Sequence, residues 1–172
     1  MSIYQTGELV VYGSSGVCRV DALTRPASRG ADRGKLFYLL KPLYQDGVIY
    51  SPVESGKVPI RPVIPAAEAR ALLEEIPSLN PQVFRGQTLQ ALTQHYQAVI
   101  RTHDCRELLG LVISIRAKRR QLSSQNRRLG MVDERFLKQA EQLLYGELAV
   151  APQLSPEEVQ ADVDRRLCEA HL

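Results

Sequence analysis

The chain has 172 residues, 44% of them hydrophobic, with a formal net charge of +3. This excludes a disordered chain and allows one large or two small domains. The three cysteines, Cys18, Cys105 and Cys168, stand too far apart for a metal cluster or a disulfide framework, so a reducing compartment is expected. No apolar run approaches bilayer length and residues 1–8 lack signal-peptide character, which points to a cytoplasmic protein without a membrane partner.

The first strand is expected at Leu9-Val10-Val11-Tyr12. Gly13-Ser14-Ser15-Gly16 is a turn, since glycine reaches backbone conformations that other residues avoid. A return strand follows over residues 17–20. Residues 25–34 read as a polar, mobile loop. A third strand is expected at 36–40. The tight turn Gln45-Asp46-Gly47 leads to a fourth at 48–50, which Pro52 ends because it has no N–H to donate. Residues 57–61 form a short last strand. Closely spaced short strands of this kind predict a small closed or half-open β-barrel.

Pro62 and Pro65 mark a boundary, after which the periodicity becomes helical. Helices are expected over 66–76, stopped by Pro77, and over 88–101, with Leu89, Leu92, Tyr96, Val99 and Ile100 at helical spacing. A third opens on the capping pattern Asp104-Cys105-Arg106-Glu107 and turns basic at Arg116-Ala117-Lys118-Arg119-Arg120. Residues 122–130 read as a polar loop holding Arg127 and Arg128. Asp133 is expected to cap a helix running to about residue 149. Ser155-Pro156-Glu157-Glu158 is a strong start for a last one. The class is therefore α+β: a small Tudor-like or SH3-like barrel at 1–62, an all-α domain at 66–150, and an acidic helical tail at 151–172.

The charge is unevenly spread. Residues 101–138 hold ten Lys/Arg against four Asp/Glu, a net of +6, and residues 139–172 hold two against seven, a net of −5. A basic block before an acidic tail suits a phosphate-facing surface.

The motifs then resemble a known family. Glu8-Leu9-Val10-Val11-Tyr12-Gly13-Ser14-Ser15-Gly16-Val17 resembles the opening strand and turn of the CarD-like (CdnL-type) bacterial transcription regulators. Ile60-Arg61-Pro62-Val63-Ile64 resembles that family's domain junction. Leu122-Ser123-Ser124 and the segment from Phe136-Leu137-Lys138 to Gly146-Glu147-Leu148 resemble its closing helix. The resemblance runs in order over about residues 1–150. It implies an N-terminal Tudor-like domain, similar to that of transcription-repair coupling factor, docking on the β subunit of bacterial RNA polymerase. It implies a helical domain that contacts promoter DNA at the upstream edge of the transcription bubble, where family members insert a Trp. This chain has no Trp, and the corresponding position falls near Leu89. Leu89 also shares a helical face with Leu92 and Tyr96, which favours the core.

Arg25, Leu36, Tyr38 and Tyr50 are the expected polymerase contacts. Arg85, Leu89, Arg116, Lys118, Arg119, Arg120, Arg127 and Arg128 are the expected DNA contacts, the cations neutralising phosphates. No catalytic residue, metal ligand or cofactor is expected. His95, His103 and His171 lie in separate segments, Gly13-Ser14-Ser15-Gly16 lacks the Lys-Ser/Thr of a phosphate loop, and no Ser/His/Asp set stands out. The alternative to a DNA-contacting regulator is a polymerase-binding adaptor that has lost DNA contact. Neither is an enzyme or has a small-molecule substrate.

Overall fold

The computed structural model describes residues 3–25, 30, 33–54 and 56–172. It divides into two units, Met1–Val63 and Ile64–Leu172.

The first unit is an antiparallel sheet. Its strands are β1 (Leu9–Tyr12), β2 (Gly16–Thr24), β3 (Phe37–Pro42), β4 (Ile49–Pro52) and β5 (Ile60–Pro62), in the spatial order β4-β3-β2-β1-β5. β1 and β2 are joined by one turn of 3-10 helix, Gly13–Ser15. Gly13 is required there: its φ of 46° lies in the left-handed region, and a Cβ would collide with Val58 Cγ1. β2 runs four residues past its expected end, and a register shift between Val20 and Ala22 leaves Asp21 outside the ladder. Asp21 there accepts a hydrogen bond from Arg19 Nε (2.7 Å), which holds its carboxyl below the usual value.

Alternation then sorts the two faces. Val10, Cys18, Val20, Tyr38 and Leu40 point to one side and form the buried cluster. Burial pushes the Cys18 thiol up to about 11, so it packs as a small apolar group. Of the closed or half-open barrel expected, the closed form is not made: β4 and β5 are the two edges, and no pairing joins them among the described residues. Closure needs long edge ladders. β4 has four residues ending in Pro52, and β5 has three ending in Pro62. The expected loop at 25–34 falls largely outside the described residues.

The second unit contains α1 (Ala66–Glu74), α2 (Leu89–Thr102), α3 (Cys105–Ser124), α4 (Met131–Leu148) and α5 (Pro156–Glu169). Local signals start these helices. Thr88 accepts from Ala91 N, Asp104 accepts from the N–H groups of Arg106 and Glu107, and Ser155 with Glu158 completes a capping box. His103, with φ 50°, ends α2 and turns the chain straight into α3.

α3 is antiparallel to α4: Cys105 meets Glu147, Arg116 meets Glu141, and Lys118 meets Asp133. α5 runs in the same sense as α3, since Asp164 meets Arg116 and His171 meets Arg120. Val159, Val163 and Leu167 of α5 enter the same core as Leu109, Val112, Leu144 and Leu148. The last helix is therefore an integral layer of this unit rather than a separate tail.

Two expectations are corrected. α3 continues through Leu122, which is buried, to Ser124, so the loop is shorter than 122–130. Asp133 does not cap α4; Gly130 occupies that position. Asp133 faces inward instead, where it accepts from Tyr96 Oη (2.5 Å) and Lys118 Nζ (3.0 Å). A buried carboxylate without such partners would be costly.

Candidate functional site

Two surfaces remain once the cores are accounted for. The first is the free edge of the sheet. Among the described residues β4 pairs only with β3, in the register Leu39↔Tyr50 and Leu40↔Ile49. Its outer backbone groups are a ready template for a partner strand. Tyr50 sits on this edge, 57% exposed, and Leu43 and Val48 nearby are also exposed apolar residues. Tyr50, Leu39 and Ala22 lie in one cross-strand row, giving a half-exposed apolar stripe away from the core.

The expected polymerase contacts divide on this frame. Tyr50 and Arg25 are exposed, and Arg25 donates to Gly34 O (3.5 Å). Leu36 is half-buried, and its carbonyl accepts from Val53 N (2.9 Å). Tyr38 is corrected: it is 2% exposed, its hydroxyl accepts from Tyr4 N (3.1 Å), and its ring packs on Tyr4. β3 is an inner strand, so alternate side chains point into the core, and Tyr38 is one of them.

The second surface is one end of the helical unit. Because α3 is antiparallel to α4 and follows α2 after a tight turn, the N-termini of α2 and α4 lie beside the C-terminal end of α3. Arg85, just before α2, confirms the neighbourhood by donating to Gln121 on α3. Leu89 opens α2 and is 71% exposed; Met131 opens α4 and is 88% exposed. Arg127 and Arg128, in the link between α3 and α4, are exposed, and their side chains have no ion pair or hydrogen bond among the described residues. Two apolar tips, three arginines and two helix N-termini therefore share one end. Helix N-termini carry positive potential of their own.

The inward assignment of Leu89 is overturned. Its angular position matches Leu92, Tyr96 and Ile100, which are buried. It precedes them by one turn, where the neighbouring helices no longer cover it. Met131 was missed altogether. The signal was a large apolar residue directly after Gly130, at the first position of a helix whose inward stripe begins only at Phe136.

The basic run is not one surface. Arg116 is 15% exposed and lies between Asp164 (2.5 Å) and Glu141 (3.5 Å). Burial pulls its pKa down, but Tyr145, Asp164 and Glu141 outweigh that and hold it above the ordinary value. Lys118 is 12% exposed and bound to Asp133. Both are corrected from DNA contacts to internal ion pairs. The hydroxyl of Tyr96, which shares Asp133, has a raised pKa, first from burial and then from that carboxylate. Arg119 and Arg120 are exposed; Arg120 donates to His171 O (3.0 Å), and Arg119 has no side-chain partner among the described residues.

Among the described residues, no group of His, Cys, Asp and Glu is placed to hold a metal, and no helix is long and apolar enough to cross a membrane. Residues 4–64 match the family model of the CarD-like/TRCF RID domain. The sheet unit is therefore similar to this domain family. The match covers the sheet unit with its β4 edge, and it supports an RNA polymerase partner and a transcription-related role. No curated protein matches the chain.

Proposed function

We propose that this chain is a bacterial transcription regulator that docks on the RNA polymerase β subunit through β4 and contacts promoter DNA with the end of its helical unit. The observation that carries the DNA half is the convergence of Leu89 and Met131 with Arg85, Arg127 and Arg128 at one end. Arginines fix a protein on the phosphate backbone, and apolar tips can enter an unstacked base step. Arg119 and Arg120 extend the positive surface along α3.

The mechanism requires no catalytic group and places the protein in the cytoplasm. A protein held on polymerase that touches DNA favourably only in the open complex raises the population of that state. Each ~1.4 kcal/mol of such preference changes the open-to-closed ratio tenfold. Two of the acidic residues after 139, Glu141 and Asp164, are spent on Arg116 within the unit.

The docking half is tested with the full chain and purified β subunit by interferometry. Tyr50→Ala lowers the affinity by about tenfold or more, as expected of an aromatic anchor, while thermal unfolding is unchanged. Arg127→Ala with Arg128→Ala leaves β binding intact. Unchanged affinity in Tyr50→Ala contradicts docking at the β4 edge.

A further inference from the structure

A cleft of about 660 Å³ lies between α3 and α5, on the flank of the helical unit. Its wall is a row of three guanidinium groups, Arg116, Arg119 and Arg120, at the i, i+3, i+4 spacing that puts them on one helix face. Its floor is apolar, formed by Ile113, Leu167 and Leu172. Asp164 is the one acidic side chain among the residues lining it, and Arg116 already holds it. The cleft is therefore electropositive on one side and greasy beneath.

The three arginines differ in readiness. Arg116 is held from two helices by Asp164 and Glu141, so its charge is already matched and it shapes the wall rather than binding phosphate. Arg120 spends one donor on His171 O and keeps the others. Arg119 is exposed and spends none on any side chain or backbone of the described residues. A guanidinium fork matches phosphate oxygens in pairs and also stacks on flat rings. A cleft of this volume suits a small molecule, since such sites run to about 300–1,000 Å³.

We propose that the cleft between α3 and α5 is a binding site for a small phosphorylated ligand of the nucleotide class, with its phosphates on Arg119 and Arg120 and its ring over the apolar floor. The site goes beyond promoter contact: it shares Arg119 and Arg120 with the positive surface along α3 but involves none of Leu89, Met131, Arg127 and Arg128, and its test uses no DNA.

The cleft carries its own reporter. Cys168 lines it and is exposed, while Cys18 and Cys105 are buried. Labelling of the native full-length chain with a thiol-reactive disulfide reagent therefore follows Cys168. ADP, pyrophosphate and adenosine are compared at constant ionic strength. ADP is expected to slow labelling about tenfold once its concentration is some ten times its Kd. Pyrophosphate slows it less at equal concentration, and adenosine has no effect. Arg119→Ala, which removes an exposed side chain without partners, abolishes the protection while the melting temperature stays put. Absence of protection by millimolar ADP overturns the proposal, as does equal protection in Arg119→Ala. Pyrophosphate protecting as well as ADP overturns the assignment to a nucleotide.

Discussion

The two units present themselves to partners in opposite ways. The sheet has a thin core, with Val10, Cys18, Val20, Tyr38 and Leu40 as its buried cluster, and offers backbone along an unpaired edge. The helical unit has a deep core built from all five helices, satisfies its backbone internally, and offers side chains at one end. In the proposed docking the sheet needs few specific residues, because main-chain groups along an edge can supply affinity. The helical unit needs a sorted charge pattern, and it achieves one by turning inward only those cations that meet a carboxylate. Arg116 and Lys118 have partners on α4 and α5; Arg127 and Arg128 have none among the described residues and stay outside.

That sorting is open to attack at its most buried point. Lys118→Ala strands Asp133 in the core, and breaking a buried pair costs about 3–5 kcal/mol. Urea unfolding monitored by circular dichroism should show the midpoint of the helical unit collapse. Arg127→Ala should leave the same midpoint in place, since surface changes away from packed features stay within about 0.5 kcal/mol. Equal effects from the two variants would erase the distinction between inward and outward cations.

Tyr96→Phe tests the other donor to Asp133. It removes one buried hydrogen bond at nearly constant volume and should cost about 1–3 kcal/mol by thermal melting. Ser155→Ala removes one half of the capping box of α5. A loss of about 1 kcal/mol is expected, read in the same way. A destabilisation near zero would mean that α5 is held by its apolar stripe alone.

Acidification gives a smaller effect confined to the helical unit. His95 stacks on Phe84, with ring centroids 3.8 Å apart, and burial lowers its pKa below the ordinary 6.5. The unfolded chain therefore takes up the proton first. Stability is full above pH 6.5 and declines as the pH falls through that value. His95→Phe should flatten this slope in melting temperature against pH between 7 and 5. An unaltered slope would place the acid sensitivity elsewhere.

Much of this architecture is legible in the sequence because its signals are local. The strand at Leu9–Tyr12, the turn after it, and the helix starts at Asp104 and Ser155 depend on neighbours within a few residues. What escaped depends on distant ones. Asp133 reads as a cap until Tyr96 and Lys118 are seen to reach it from two other helices. Arg116 reads as a phosphate ligand because its carboxylates lie on α4 and α5. Helical periodicity gives the face on which Leu89 lies but not where the packing against that face stops. Barrel closure likewise depends on whether two short edges meet, which no local pattern encodes.

The smallest structural effect belongs to the residues with the largest proposed functional one. Leu89→Ala and Met131→Ala should each change stability by less than about 0.5 kcal/mol, because both side chains are mostly in solvent. The most direct measurement is the lifetime of the promoter open complex against salt concentration, with polymerase saturated by the wild-type chain or by variants. Arg127→Ala with Arg128→Ala should shorten the lifetime and reduce its salt dependence, since each lost phosphate contact removes about one released counterion. Leu89→Ala should shorten it at every salt concentration without changing the slope. Lifetimes and slopes that match wild type in both variants, with polymerase binding intact, would contradict DNA contact and leave a protein that only holds polymerase.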